Sequence, residues 1–364
     1  MESISSVVIK KIKKRLLYFF TQKKDIKFNP TNTKKVLVLR YDRIGDMIQT
    51  TPIFLALKEN FPSIFISVIA SKNNAVVIEN NPFVDKVTIN SKNNLIGDLF
   101  SLIKLRRERY DVCIELDHSV VPHAILRLKL INPKKVISIQ KYGRYGLQPG
   151  QMQLYNFFSR EKKIENYSAK CLATLEYFGI KDAKNTFHLF PALDQLKKAK
   201  VFFENFKHIT KILINLEGHI QNKTIPFFRF IEIVEGIQNK SENNIFFLIS
   251  TPDRREKYLN LLSKYKNTNI QLLYQTNSIN DVAAIVKECD MVITPDTSIV
   301  HVASTYNVPT LSVHENNKDS FNLWKPLSEI NKTVFSNTHE GIEDCNFNLV
   351  IASALKILTR VKKL

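Results

Sequence analysis

From residue 34 onward the chain alternates short apolar runs with longer stretches whose apolar residues recur every three or four positions. KVLVLRY (35–41) suits a buried parallel strand, and after the turn DRIGD (42–46) the segment TTPIFLALKENF (50–61) has helical periodicity. The alternation continues through strands FISVIAS and KVTIN, a helix in LIGDLFSLIKLRRERY (95–110), and strand DVCIELD (111–117). A second series runs from strand KILINLEG (211–218) through helix IPFFRFIEIVEGI, strand IFFLIST, helix REKYLNLLSKY, strand IQLLY, helix INDVAAIVKE, strand DMVITP, helix SIVHVASTY and strand PTLSVHE (309–315). Repeated strand–helix units predict an α/β protein with two doubly wound parallel sheets in tandem and a cleft between them. Ligands in such sheets bind beyond the carboxyl ends of strands, so the chemistry is expected in strand-end loops. The predicted organisation is an N-terminal extension over 1–33, a first domain over 34–185, a second over 186–345 whose start, 186–210, is a connection, and a C-terminal helix over 346–364.

The first thirty residues differ from the rest. In VVIKKIKKRLLYFFTQKKDIK, Ile9, Ile12, Leu16 and Phe19/Phe20 recur at helical spacing, while Lys10, Lys11, Lys13, Lys14 and Arg15 fill the other faces. Such a basic amphipathic helix either lies in a lipid headgroup region or docks on the protein's own surface. FNPTNT after it reads as a linker.

Charge sharpens this picture. With 53 Lys+Arg against 34 Asp+Glu the formal net charge is +19, which attracts nucleic acid, anionic lipid or phosphorylated small molecules. No basic run interleaved with aromatics appears, so no nucleic-acid partner is expected. No apolar run approaches the roughly 20 residues of a spanning helix. The apolar run LLYFF is too short for a secretory signal. The four cysteines, Cys113, Cys171, Cys289 and Cys345, form no CxxC pair, consistent with free thiols in a cytoplasmic protein.

Three strand-end loops carry candidate chemistry. In RYDRIGDMIQTTP (40–52), Gly45 is expected to supply backbone freedom at the strand-to-helix turn. Asp42 and Asp46 are both candidates for a general base, Asp46 being favoured as an anion by the helix start, although N-capping explains an Asp there equally well. In TPDTSIVHVAS (294–304), Asp296, Thr297 and Ser298 fall at a helix N-terminus, either an anion site or ordinary capping, and His301 follows inside the helix, where a packed core histidine is the plain alternative. In EGHIQNKTIP (217–226), Lys223 stands just before a helix, either neutralising a phosphate or solvated at the surface. Neither GxGxxG nor GxxxxGK[ST] occurs, and no DxD, GxSxG or HExxH. Those nucleotide, metal–diphosphate and hydrolase chemistries are therefore disfavoured, and no metal or cofactor is expected.

With these loops in order, the sequence resembles glycosyltransferase family 9, the bacterial lipopolysaccharide heptosyltransferases. VLVLRYDRIGDMIQTTPIFLALKENFP is similar to that family's N-terminal signature, ITPDTSIVHVASTYNVPTLSVHE to its C-terminal one, LINLEGHIQNKTIP to its third loop, and Trp324 with Pro326 to its late WxP. The likeness spans roughly residues 34 to 330. It departs at Ser298, where the family often has Gly, at Ile225, in place of the usual Trp, and in ISTPD, which lacks the usual Gly.

The resemblance implies a GT-B architecture of two Rossmann-like domains facing a central cleft, the first for the acceptor and the second for the donor. It implies inverting, metal-independent transfer of heptose from ADP-heptose to the lipopolysaccharide core, with Asp46 as catalytic base and Lys223 as diphosphate partner. It also implies donor binding by Asp296, Thr297, Ser298 and His301, with Asn277 near adenine or ribose. The implied partners are a nucleotide-sugar donor, a lipid-linked anionic glycan, and the cytoplasmic face of the inner membrane reached through the basic N-terminal helix. Another nucleotide sugar, a protein acceptor, or a non-catalytic nucleotide-sugar-binding module on the same fold are the alternatives.

Overall fold

The structure, a computed structural model, describes residues 4–23, 25–90, 96–145, 147–160, 166–218, 220–265 and 267–361. It divides into two units, Met1–Thr186 and Phe187–Leu364.

The first unit comprises α1 (Ile4–Thr21), β1 (Lys35–Arg40), α2 (Ile44–Asn60), β2 (Phe65–Ala70), β3 (Lys86–Ile89), α3 (Leu99–Arg107), β4 (Val112–Glu115), α4 (Pro122–Ile131), β5 (Lys135–Ser138), β6 (Phe157–Phe158) and α5 (Tyr167–Ala173). Its strands form one parallel sheet in the order β3-β2-β1-β4-β5-β6. β1, β2 and β4 are buried almost throughout, as their continuous apolar runs require in a sheet covered on both faces. The strand order reverses at β1, so the topological switch point lies between β1 and β4.

One core joins Leu17 of α1, Leu102 and Leu105 of α3, and Ile125 and Leu128 of α4 to Leu37, Leu39 and Cys113 of the sheet. α1 and α3 both pack against α4, and these three helices make one layer. The N-terminal helix therefore docks on its own unit, through Leu17 and half-buried Phe20. Its expected apolar stripe is not what it buries: Ile12, Leu16 and Phe19 stay exposed. The side chains of Ile9, Lys10, Lys11 and Lys13 lie outside the described ones.

Helix α2 contains Pro52, which lacks the N–H that would reach the carbonyl of Ile48. The hydroxyl of Thr51 donates to that carbonyl instead, at 2.7 Å, and Thr50 donates to the carbonyl of Asp46 at 2.8 Å. The Thr-Thr-Pro run thus repairs its own break. Gly45 is the second residue of α2 and is absent from the positive-φ residues. The conformational freedom expected of it is not used, because the helix begins one residue before it.

The second unit comprises α6 (Leu193–Phe203), β7 (Thr210–Asn215), α7 (Phe227–Gln238), β8 (Asn244–Ile249), α8 (Arg255–Leu262), β9 (Ile270–Leu272), α9 (Ile279–Lys287), β10 (Met291–Pro295), α10 (Ser298–Thr305), β11 (Thr310–His314), α11 (Lys318–Trp324), β12 (Asn331–Phe335) and α12 (Phe347–Val361). The sheet is again parallel, in the order β12-β11-β10-β7-β8-β9, with its switch point between β7 and β10. Much of the segment expected to connect the domains is helix α6, which packs against α9. It is held there by Phe203, edge-on to Phe247 of β8 at 5.0 Å. α12 lies against α7 and buries Phe347, Val350, Ala354, Ile357 and Leu358, the larger of these each contributing roughly 1.5–3 kcal/mol on burial. Residues 362–364 of the predicted C-terminal helix lie outside the described residues.

Candidate active site

At the β1–β4 switch point of the first unit, Arg40 ends β1 with its side chain only 3% exposed. Its Nη2 lies 3.1 Å from Asp46 Oδ1, and its Nη1 lies 3.3 Å from Asp42 Oδ2. Nη1 also donates to the hydroxyl of Tyr167 at 2.8 Å, and the guanidinium sits 4.7 Å from the centre of that ring. The Tyr167 hydroxyl in turn donates to the carbonyl of Leu116, just past β4. Burial alone would lower the Arg40 pKa, but Tyr167, Asp46 and Asp42 together raise it, so the group stays cationic.

Asp46 is the third residue of α2, and its Oδ2 accepts from the backbone N–H of Arg43 at 3.0 Å. Both readings of this residue thus hold in geometry: it closes the helix start and it presents an ion-paired carboxylate, 14% exposed, in the helix's positive field. Two carboxylates thus share one buried cation, which fixes their orientation.

A second polar group adjoins it at the end of β4. Glu115 pairs with the fully buried ammonium of Lys141, accepts from the Tyr155 hydroxyl at 3.1 Å, and accepts from the Asp117 N–H at 2.8 Å. Burial, then Glu115 and Asp42, push the Asp117 carboxyl well above the ordinary carboxylate range. The ring of His118 lies 4.5 Å from that of Tyr167, and burial with the Arg40, Lys170 and Lys141 charges lowers its pKa to about 4. His118 is thus a neutral imidazole at pH 7.

At the β7–β10 switch point of the second unit, Asn215 ends β7 and donates through Nδ2 to Thr294 Oγ1 at 3.0 Å and to Thr297 Oγ1 at 3.4 Å. Thr297 caps α10, accepting from the N–H of Ile299 at 3.3 Å, and Ser298 opens the helix. Asp296 is tied to β11 by its N–H, which donates to Val313 at 3.1 Å, and its carboxylate lies 3.9 Å from His314 Nδ1. Burial, helped by Lys223, lowers the His314 pKa against the pull of Asp296 and Glu315. Lys223 is not a solvated surface residue: its ammonium pairs with Glu315 at 2.9 Å, at the end of β11. Its loop is close-packed, because a Cβ on Gly218 would sit 2.0 Å from the carbonyl oxygen of Lys223.

Asp296, Thr297, Ser298 and Lys223 thus gather at the carboxyl ends of β7, β10 and β11. The other two predicted residues are His301, in the first turn of α10, and Asn277, just before α9. His301 is buried, flanked by the rings of Phe187 at 5.9 Å and Trp324 at 6.4 Å. Asn277 is exposed beyond edge strand β9, its N–H donating to Asp281 Oδ2 at 2.8 Å in the cap of α9. Arg40, Tyr167, Glu115, Lys141, Asp117 and His118 are polar groups that the sequence reading did not select. For Arg40 and Glu115 the available signal was a charged residue closing an apolar strand, in VLVLR and VCIE.

The sequence profile of glycosyltransferase family 9 (heptosyltransferase) matches residues 100–348 of the chain. Lipopolysaccharide core heptosyltransferase OpsX of Haemophilus influenzae is 21% identical over 285 residues, covering 77% of this chain and 79% of that one. The crystal structure of the glycosyl transferase family 9 protein from Veillonella parvula matches with a TM-score of 0.74 at 17% identity, over 90% of this chain and 97% of that one. The structure of E. coli ADP-heptose lipopolysaccharide heptosyltransferase II matches with a TM-score of 0.70 at 16% identity, over 90% and 99%. The fold is of this GT-B kind.

Proposed function

We propose, from the premise that this chain belongs to glycosyltransferase family 9 and is a glycosyltransferase, that it transfers heptose from ADP-heptose to the anionic, lipid-linked core of lipopolysaccharide, with inversion and without a metal ion. The observation that carries this reading is the Asp46 carboxylate, oriented by Arg40 and Arg43 at the β1–β4 switch point. Asp46 takes the proton of an acceptor hydroxyl as that oxygen bonds to the anomeric carbon and the bond to ADP breaks. Such general-base help is typically worth ~10²–10⁴-fold. In the second unit, the positive end of α10 beside Thr297 and Ser298 receives the diphosphate, and the Lys223 ammonium neutralises its developing charge.

The donor's identity draws support from the named activity of the E. coli neighbour, and the acceptor's from that of the Haemophilus relative. A lipid-linked acceptor places the enzyme at the cytoplasmic surface of the inner membrane. Lys14 and Arg15 on docked helix α1 are exposed to meet anionic headgroups there. Among the described residues no helix is long and apolar enough to cross a membrane.

The test is mass-spectrometric detection of heptosylated product from ADP-heptose and a heptose-deficient lipopolysaccharide acceptor, with and without EDTA. Product formation unaffected by EDTA is expected. Turnover only with another nucleotide sugar would overturn the donor assignment, and abolition by EDTA the metal-free one.

A further inference from the structure

The layer formed by α1, α4 and α3 carries two apolar rows that no described residue of the first unit covers. On α1, Ile12, Leu16 and Phe19 are 53%, 55% and 70% exposed, although Leu17 between them is in the core. On and just before α3, Ile96, Leu99, Phe100 and Ile103 are 88%, 40%, 81% and 40% exposed, while Leu102 and Leu105 on the inner side are buried. Soluble surfaces seldom leave such contiguous rows unless something binds them.

Charge decides what binds. Neither α1 nor α3 contains an acidic residue. The carboxylates flanking α3 are both engaged: Asp98 pairs with buried Arg127 at 2.8 Å, and Glu108 is held by Lys86 at 3.0 Å and Lys35 at 3.2 Å. Lys104, Arg106 and Arg107 are exposed. At steps of four residues, Phe100 leads to Lys104, and Leu99 and Ile103 lead to Arg107, so each apolar row ends in a cation. Apolar side chains ending in long basic ones match the boundary between acyl chains and anionic headgroups, where Lys and Arg bury their stems and keep their heads in the polar zone. A second copy of the chain, with the same +19 charge, would instead bring like charges together.

We propose that the outer side of the α1–α4–α3 layer docks on an anionic bilayer, with α1 and α3 inserting on either side of α4. Because both helices share one core with α4, the footprint is a rigid face and not a flexible tether. It extends the membrane contact proposed above for α1 and rests on no role assigned at either strand-end cluster.

The experiment measures co-sedimentation of the full chain with phosphatidylethanolamine vesicles containing about a quarter phosphatidylglycerol, against pure phosphatidylcholine. The Ile96→Ser/Phe100→Ser double variant, with α1 intact, is expected to lower the partition coefficient about tenfold or more. Lys104→Ser and Arg107→Ser should each lower it about fivefold. Thermal midpoints and turnover on a delipidated acceptor should not change. Unchanged partition in every α3 variant, with loss in Leu16→Ser/Phe19→Ser, would reduce the face to a tether and overturn the proposal. So would equal binding to phosphatidylcholine, or light scattering showing a dimer that the α3 variants dissociate. Loss of turnover on the delipidated acceptor with vesicle binding intact would count against the transfer reaction alone.

Discussion

Arg40 holds Asp46 through Nη2 at 3.1 Å while its Nη1 is held by Tyr167 at 2.8 Å, so the carboxylate is fixed by a cation that is itself fixed. Asp46→Asn keeps an oxygen for the Arg43 N–H and so keeps the helix start, but it cannot accept a proton. Transfer should fall by ~10²–10⁴-fold. The calorimetric affinity for ADP should stay within twofold or so, and undiminished turnover would remove Asp46 from the reaction.

Arg40→Met leaves Asp42 and Asp46 side by side in a largely buried site without their cation. Breaking a buried pair by removing one partner costs roughly 3–5 kcal/mol, and the partial exposure of both carboxylates places this case near the lower end. Urea denaturation at pH 7 should show the loss. Tyr167→Phe removes both the bond the hydroxyl accepts from the Arg40 cation and the one it donates to the Leu116 carbonyl, and should cost about 2–3 kcal/mol.

Lys223→Ala removes the ammonium that Glu315 holds at 2.9 Å. A charge-assisted hydrogen bond contributes about 1.5–3 kcal/mol, so the ADP dissociation constant measured by calorimetry should rise by roughly ten- to a hundredfold. Gly218→Ala should raise it too with Lys223 still present, because the added methyl collides with the Lys223 carbonyl and displaces the loop.

Stability should fall on mild acidification through His118. Its pKa is lowered from 6.5 to about 4 by burial and by neighbouring cations, so unfolding takes up a proton between those values. The stability held by this neutral imidazole is complete above pH ~6.5 and is lost as pH falls toward 4. Asp117, whose carboxyl is raised by burial and by Glu115 and Asp42, acts oppositely, since it keeps its proton on folding and favours acid. The difference between the native chain and His118→Gln, read as urea midpoints at pH 7 and pH 5, isolates the histidine. The native chain should lose more.

The alternating sheets, the Asp46 loop and the 294–298 loop were legible because each is local: an apolar run, a turn and a helix start within a dozen residues. What escaped was pairing at a distance. Arg40 meets Tyr167 across 127 positions, and Lys141 reaches Glu115 from beyond the next strand. On α1 the predicted stripe of Ile12, Leu16 and Phe19 is the exposed row, and the face turned to the protein is a neighbouring one. Leu17 and Phe20 alternate with Leu16 and Phe19, and only packing against α4 decides which pair turns inward. His301 fitted the helix signature equally well as ligand or core residue, and the rings of Phe187 and Trp324 surround it.

The bonds that orient Asp46 join residues 40, 42, 43, 116 and 167, whereas those around Thr297 join 215, 294 and 299. The first set falls within Met1–Thr186 and the second within Phe187–Leu364. If the proposed transfer reaction holds, substitutions that retune the nucleotide or its sugar in the second unit leave the scaffold of Asp46 in the first untouched, and a lineage built this way can exchange donors without reinventing its base.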